Sequence, residues 1–220
     1  MRKILSLIIL KRIESKVNKY VGPTQHEYEN RIGCEEVVWS QAILTSVVLR
    51  KKWSFHKMGI DMSRAFDTKK KVVLNLLNDA GCTNDDISLV RYILADTKLC
   101  IKINKSRLEE LEITLGSGQV DSLSGKLFTL YLAGALHHLR ATLKRPHPTV
   151  SEDFMPLESE YVDDCDCFSE SQEKLKQTLL KIEKVLDEWN LKVNPSKTEY
   201  VHYFLKDDLK KKKRGKLEKE

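Results

Sequence analysis

The sequence lacks an apolar run long enough to cross a membrane. The run near its start, Ile4–Leu10, is interrupted by Ser6 and followed at once by Lys11 and Arg12, whereas a transmembrane helix needs about 20 predominantly apolar residues. No small-residue cleavage site follows this run, which excludes a typical secretory signal. The sequence therefore indicates a cytoplasmic or nuclear protein that is not secreted and has no membrane partner.

Zinc-type cysteine spacing is also missing. The chain has five cysteines, an odd number scattered along its length. Cys165 and Cys167 lack the two-residue gap and the second pair of ligands that structural zinc sites use. Free thiols are typical of a reducing compartment, so we expect no disulfides and no zinc.

Excess positive charge is scarce outside the C-terminal end. Residues 206–220 hold eight Lys and Arg but only four Asp and Glu, so most of the net charge of +6 belongs to them. A like-charge block of this kind cannot offset the entropy of its own ordering, and we expect a solvated, disordered basic tail. The charge of the remaining chain permits a nucleic-acid partner but does not require one.

Hydrophobic periodicity predicts a mixed α+β fold. Helical spacing recurs over residues 3–21, 34–51, 67–80, 84–94, 126–143 and 171–189. Strands are predicted at 55–61, 99–104 and 111–115, with a strand–turn–strand at 191–203. We expect residues 55–61, 158–163 and 165–168 to form one antiparallel sheet, with helices 67–80, 126–143 and 171–189 covering one face.

Local signals place several helix ends. Gly81 is expected at the C′ position after the third helix, and Thr83 at the N-cap of the fourth. Ser169 and Gln172 have the spacing of a capping box for the last helix. In the second helix, the residues predicted to face the core are Val37, Val38, Ala42, Ile43 and Val47.

Two adjacent carboxylates, Asp163 and Asp164, follow Tyr161 and Val162 between two predicted strands. Like charges this close resist joint ionisation, and a bound divalent cation removes that cost. A hairpin would present both carboxylates at its tip, open to a hard cation. The alternative is a polar hairpin turn, because Asp is a common turn residue.

Four segments follow one another in an order typical of one family. They are Gly59–Thr68, the loop and helix Gly116–Leu132, Tyr161–Asp164 and Leu191–Glu199. In sequence and order they resemble the palm motifs of reverse transcriptases of the non-LTR, LINE-like retrotransposon type. The resemblance covers roughly residues 15–203.

The resemblance implies an RNA-directed DNA polymerase that adds dNTPs to a DNA primer on an RNA template. It further implies two Mg²⁺ ions, with Mn²⁺ as an alternative. Asp61 and Asp163 would be the main metal ligands and Asp164 a supporting one. Lys197 would donate a proton to the leaving pyrophosphate or pair with its charge. Taken without the family, Asp61 could instead cap the next helix and Lys197 could be a surface lysine.

Three further residues acquire roles by the same resemblance. Phe66 would lie under the incoming sugar as a steric gate against a 2′-hydroxyl, although its spacing also suits a core position. Gln119 would contact the template or nucleotide from its loop, and it could equally be an ordinary loop residue. Tyr161 belongs with these nucleotide- or template-binding residues.

The resemblance also divides the chain. Residues 1–54 would be partial fingers and residues 55–205 the palm, with a fingers insertion at about 82–115, followed by the tail 206–220. We expect neither a thumb nor an endonuclease segment. Val120 stands where the family has glycine, and Gly118 where it has proline. A second interpretation is therefore that the chain is a catalytically silent retrotransposon remnant, which keeps the palm fold and weak nucleic-acid binding.

Overall fold

The computed structural model describes residues 2–22, 34–51, 55–63, 68–95, 98–103, 106–112, 122–143, 158–161, 164–169 and 171–203. The helices in these ranges are α1 (Arg2–Val21), α2 (Cys34–Arg50), α3 (Lys70–Asp79), α4 (Asn84–Ala95), α5 (Ser122–Thr142) and α6 (Gln172–Glu188). The strands are β1 (Phe55–Ser63), β2 (Lys98–Ile103), β3 (Ser106–Glu112), β4 (Glu158–Tyr161), β5 (Asp164–Ser169), β6 (Lys192–Val193) and β7 (Glu199–Tyr203).

The central strand of the main sheet is β1. On one side it pairs with β5, which in turn pairs with β4, and on the other side it pairs with β6 and β7. Each of these pairings is antiparallel. Strands β2 and β3 form a separate antiparallel hairpin. The predicted α+β class and the antiparallel sheet are therefore confirmed.

The pleat of β1 and β5 gives the sheet two different faces. Successive side chains of a strand point to opposite faces, and every second residue here is apolar and buried. Those residues join the main core: Met58, Ile60, Met62, Cys165 and Cys167. The alternate residues, which are polar or glycine, face the other way: Lys57, Gly59, Asp61, Asp164 and Asp166.

Helix α5 is the centre of the main core. Residues 123–136 are all buried, because α1, α3 and α6 each pack against this helix. Tyr131 and Phe128 are among the largest side chains that are fully enclosed. The hydroxyl of Tyr131 donates to the backbone oxygen of Trp189, which ties the end of α6 to α5. Helices α3, α5 and α6 share the main core with the apolar face of the sheet, and α6 also packs directly against β1 and β5.

Helix α1 belongs to this same core. Its residues Ile9, Ile13 and Val17 are fully buried, and the helix packs against α5 and α4. Helix α1 and the later helices thus share one apolar interior. The predicted division between fingers and palm at residue 54 stays a prediction. In the described ranges, no helix combines the length and apolar character that crossing a bilayer requires.

The turn between α3 and α4 follows its predicted signals. Gly81 has a φ of 78°, the left-handed conformation that glycine adopts without strain. Its N–H donates to the carbonyl of Asn78 at 2.9 Å. The N–H of Asp86 then donates to the hydroxyl of Thr83 at 3.2 Å, so Thr83 caps α4.

Two local predictions need correction. The N-cap of α6 is Ser171, whose hydroxyl accepts from the N–H of Lys174 at 3.1 Å, not Ser169, which instead ends β5. The second strand of the small hairpin begins at Ser106 and ends at Glu112, not at 111–115. Pairing with β2 favours the earlier start, because it aligns Ile103 with Ser106.

The predicted buried face of α2 is largely wrong. Val37 is buried, but Val38, Ile43 and Val47 are 61%, 59% and 43% exposed. The helix instead packs through Val48, with Leu44, against a small cluster on the polar face of the sheet, formed by Phe55, Phe168 and Tyr203. Because α2 is apolar on both sides, its periodicity could not indicate which side would meet the sheet.

Candidate active site

The register of β1 and β5 aligns two of the predicted site residues. Asp61 and Asp164 are direct partners across the antiparallel pair, so both side chains leave the same face of the sheet. Tyr161, at the end of β4, pairs in turn with Asp164. Asp163 immediately precedes Asp164 in the sequence but lies outside the described residues.

A cleft of about 530 Å³ opens on this face. Its charged lining consists of four carboxylates and two lysines: Asp61, Asp164, Asp166, Glu199, Lys57 and Lys197. The apolar core lies behind the sheet, so these charges remain in contact with solvent. The cleft is therefore an acidic depression with two basic groups on its wall.

The turn after β6 brings Lys197 to Asp61. The ammonium Nζ of Lys197 lies 3.3 Å from Oδ1 of Asp61. The lysine side chain is 66% exposed, whereas that of Asp61 is 18% exposed. The structure thus joins two residues that are 136 positions apart and that the sequence singled out separately.

Asn194 fixes the turn to Asp61, and sequence reasoning gave it no role. Its backbone N–H donates to the carbonyl of Asp61 at 2.8 Å, and its side-chain Nδ2 donates to Oδ2 of Asp61 at 3.0 Å. Its own side-chain oxygen accepts from the hydroxyl of Ser196 at 2.7 Å. Asn followed by Pro195 is a turn signal, but only the fold reveals the contact with Asp61.

A second polar group next to the carboxylates was also missed. Lys57 Nζ lies 2.8 Å from Oδ2 of Asp166 and donates to Oε1 of Gln41 at 2.8 Å. The Nε2 of Gln41 donates to the same carboxylate oxygen. Gly59 leaves room for Asp166, because a Cβ at position 59 would lie 3.1 Å from its Oδ1. This group ties α2 to the rim of the cleft.

Several predicted functional residues lie outside the described residues. These are Phe66, Gln119 and Asp163, together with Val120 and the basic tail 206–220. Of the predicted residues, the structure therefore brings together Asp61, Asp164 and Lys197, and it places the backbone of Tyr161 beside Asp164. The roles assigned to all seven remain predictions.

The donor chemistry of the cleft fits a hard divalent cation. In the part of the chain that the structure describes, no three His, Cys, Asp or Glu residues form a complete metal-binding group. Mg²⁺ does not need such a group, since it retains water and is bound through one or two carboxylates plus substrate phosphates. Asp61 and Asp164, paired on one face, provide carboxylates of that kind.

The fold is shared with solved telomerase structures. Apo telomerase from Candida tropicalis, truncated from the C-terminal domain, matches with a TM-score of 0.67 and 14% identity over 89% of this chain and 40% of that one. Telomerase from Candida albicans with a TWJ fragment of telomeric RNA matches with a TM-score of 0.62 and 14% identity over 90% of this chain and 33% of that one. At such identity, the likeness establishes the fold alone.

These matches define the class of the fold as that of reverse transcriptases. The family profile of reverse transcriptase (RNA-dependent DNA polymerase) matches residues 1–217, so the chain belongs to the reverse transcriptase family. The chain spans well under half the length of the telomerase chains it resembles. A comparison with curated protein sequences gave no significant match.

Proposed function

We propose that this chain is the polymerase core of a reverse transcriptase of the non-LTR type, which extends a DNA primer with dNTPs on an RNA template. The family membership supports polymerase chemistry. A telomerase of the same fold is described in complex with a fragment of telomeric RNA, which supports an RNA partner. The matched family is that of RNA-dependent DNA polymerases, which supports RNA as the template. The four motif segments support the non-LTR type.

The single observation that carries the proposal is the arrangement around Asp61. Its carboxylate faces Asp164 across the β1–β5 pair, and Lys197 approaches it from the turn after β6. Nucleotidyl transfer needs carboxylates for metal ions beside a cationic group that can meet the leaving phosphate. The cleft provides both kinds of group on one face.

Asp61, Asp163 and Asp164 would hold two Mg²⁺ ions, or Mn²⁺, which activate the primer 3′-hydroxyl and stabilise the charge of the leaving pyrophosphate. Lys197 would donate a proton to that pyrophosphate or neutralise it. Asn194 would keep the Asp61 carboxylate oriented through its two hydrogen bonds.

The remaining contacts of the proposal concern the nucleotide and template. Phe66 would pack under the sugar of the incoming nucleotide and exclude a 2′-hydroxyl by its bulk. Gln119 and Tyr161 would contact the nucleotide or the template. These three assignments follow from the motif resemblance.

The test is a primer-extension assay on an RNA template, with Mg²⁺ and separately with Mn²⁺. We expect Asp61→Asn to reduce extension to background, because it removes a metal-binding charge. The matched control is Asp85→Asn, which changes an exposed aspartate of α4 and should leave extension unchanged. Equal extension by the wild type and Asp61→Asn would contradict the proposal.

Val120 should set the rate in that assay. A β-branched residue beside Gln119 resists positive φ and adds bulk where a nucleotide would meet the backbone. We expect little or no extension by the wild type and a partial recovery in Val120→Gly, a gain of about 10- to 100-fold, equivalent to one charge-assisted contact. Adding Asp163→Asn should abolish the gain. A wild type that extends at an ordinary polymerase rate would show that Val120 is not limiting.

A further inference from the structure

We propose that Lys197 is a displaceable counter-ion of Asp61, so that a divalent cation binding to Asp61 releases the lysine ammonium into the cleft. The inference rests on the proposed function, because it assumes that Asp61 is a metal ligand. It adds a coupling between metal binding and the availability of Lys197 for an anionic substrate.

Asp61 accepts one hydrogen bond on each carboxylate oxygen from the same short turn. Asn194 donates to Oδ2 at 3.0 Å and Lys197 donates to Oδ1 at 3.3 Å. The two oxygens therefore have different partners, one a neutral amide and one a full positive charge. A cation that approaches the carboxylate is repelled by the lysine but not by the amide.

The two donors also differ in how firmly they are held. Asn194 is anchored by its backbone N–H on the Asp61 carbonyl at 2.8 Å and by Ser196 on its side-chain oxygen. The Lys197 side chain is 66% exposed and its contact with Oδ1 is long. Exposed ion pairs of this kind are weak and easily exchanged. Lys197 can therefore leave while Asn194 keeps the orientation of Asp61.

Lys57 provides an internal comparison within the same cleft. It lies 2.8 Å from Asp166, donates to Gln41 at 2.8 Å, and its side chain is only 19% exposed. Its partners hold it against the sheet and they do not include Asp61. Of the two lysines that line the cleft in the described part of the chain, Lys197 is thus the one placed to exchange with a metal ion.

The first experiment measures the acylation rate of individual lysines by mass spectrometry, on the full chain, with Mg²⁺ or with choline chloride at equal ionic strength. We expect Mg²⁺ to raise the rate at Lys197 about two- to fivefold, the size of an exposed ion pair. The rates at Lys57 and at Lys192, which does not line the cleft, should not change. In Asp61→Asn, Lys197 should react fast with and without Mg²⁺.

The second experiment measures Mn²⁺ affinity directly, by electron paramagnetic resonance of the free ion. Lys197→Met should bind Mn²⁺ about two- to fivefold more tightly than the wild type, because no ammonium competes for Asp61. Lys57→Met removes an equal charge from the same cleft and should change the affinity less.

The results of these two experiments distinguish a failure of the lysine exchange from a failure of the proposed function. Mn²⁺ binding that depends on Asp61, combined with an unchanged Lys197 acylation rate, would overturn the exchange and leave the metal site standing. Equal effects of Lys197→Met and Lys57→Met would also overturn it, because the lysines would then act only through their long-range charge. Absence of any Asp61-dependent Mn²⁺ binding would overturn both the exchange and the metal site.

Discussion

The two faces of the β1–β5 pair differ sharply although the same two strands build them. On one face Met58, Ile60 and Met62 are at most 5% exposed and join the core. On the other face Asp61 and Asp164 lie beside an open acidic cleft. A carboxylate on the first face would be desolvated without a partner, which is costly. The pleat therefore separates the side chains that stabilise the fold from those that suit chemistry.

The comparison extends to carboxylates in different surroundings. Asp86 of α4 is buried and accepts hydrogen bonds from Thr83 and from Arg12 of α1, the latter at 2.6 Å. Asp61 lies in a cleft and meets an exposed lysine at 3.3 Å. Tight pairing in the core suits a structural role, whereas the looser contact leaves Asp61 open to exchange its partner.

The largest expected effect separates the two faces by stability. Met58→Ala removes a buried side chain and should lower the free energy of unfolding by about 2–5 kcal/mol. Asp164→Ala changes an exposed residue of the partner strand and should alter it by about 0.5 kcal/mol. Urea denaturation of both variants measures the difference. Similar losses in the two would show that the cleft face also carries stability.

The next effect tests the structural carboxylate. Asp86→Ala removes charge-assisted hydrogen bonds that join α1 to α4, and it should destabilise the fold by about 1.5–3 kcal/mol. Asp85→Ala, at the exposed neighbouring position of the same helical turn, provides the control for the helix dipole. Denaturation midpoints compare the two variants. If they lost equal stability, the link to Arg12 would contribute nothing measurable.

Lowering the pH should reduce the stability that Asp86 contributes by linking α4 to α1. The Thr83 hydroxyl and, after it, Arg12 hold the pKa of Asp86 below its ordinary value, against the opposing effect of burial. Asp86 then contributes stability above the unfolded carboxyl pKa of about 3.9, and this is lost as pH falls through the lower folded pKa. Thermal unfolding between pH 6 and pH 2 should therefore show a smaller acid loss in Asp86→Asn than in the wild type.

His56, on the core face of β1, should make the stability of the fold depend on pH in a higher range than Asp86 does. Burial and, after it, the charge of His202, whose ring stacks on that of His56, lower the pKa of His56, with the charge of Glu173 opposing. The unfolded state takes up this proton first, so stability should fall as pH drops below about 6.5. We expect the fall to be reduced in His56→Gln and retained in His138→Gln, which changes an exposed histidine. Melting temperatures between pH 7.5 and pH 5.5 measure both.

A small effect tests the polar group at the rim of the cleft. Gln41→Ala should reduce stability by about 0.5–1.5 kcal/mol, because it removes the hydrogen bonds that join α2 to Lys57 and Asp166. Ser46→Ala, on the exposed side of the same helix, serves as the control and should have little effect. Urea denaturation of both variants measures the difference in their stability. No difference between the two would mean that these hydrogen bonds contribute nothing measurable to holding α2.

Much of the fold was predictable because its signals are local. The alternation from Phe55 to Asp61 predicted β1, and Gly81 and Thr83 predicted the turn between α3 and α4. In such segments the backbone preference of each residue favours the same local structure as the preferences of its neighbours within one helical turn or one strand pleat. The capping serine of α6 shows the limit, since Ser169 and Ser171 both offer a hydroxyl, and only the observed helix start selects Ser171.

The face of α2 and the contacts of the cleft were decided by tertiary structure. An apolar helix does not reveal which side will meet a sheet until the sheet exists. The aspartate motif likewise drew attention to Asp61, Asp163 and Asp164 as a group, but it could not say which would stand opposite Asp61. Strand register is set by the pairing of the whole sheet, and a slip of one residue would exchange its two faces.

The sequence by itself determined the order of the motifs, the alternation that keeps Asp61 off the core face, and the family. The tertiary structure decided that Asp164 faces Asp61, that Asn194 and Lys197 share its two oxygens, and that Gln41 reaches Asp166 across 125 positions. Hydrogen bonds of that span depend on how separate elements pack, and no local preference of the chain encodes them.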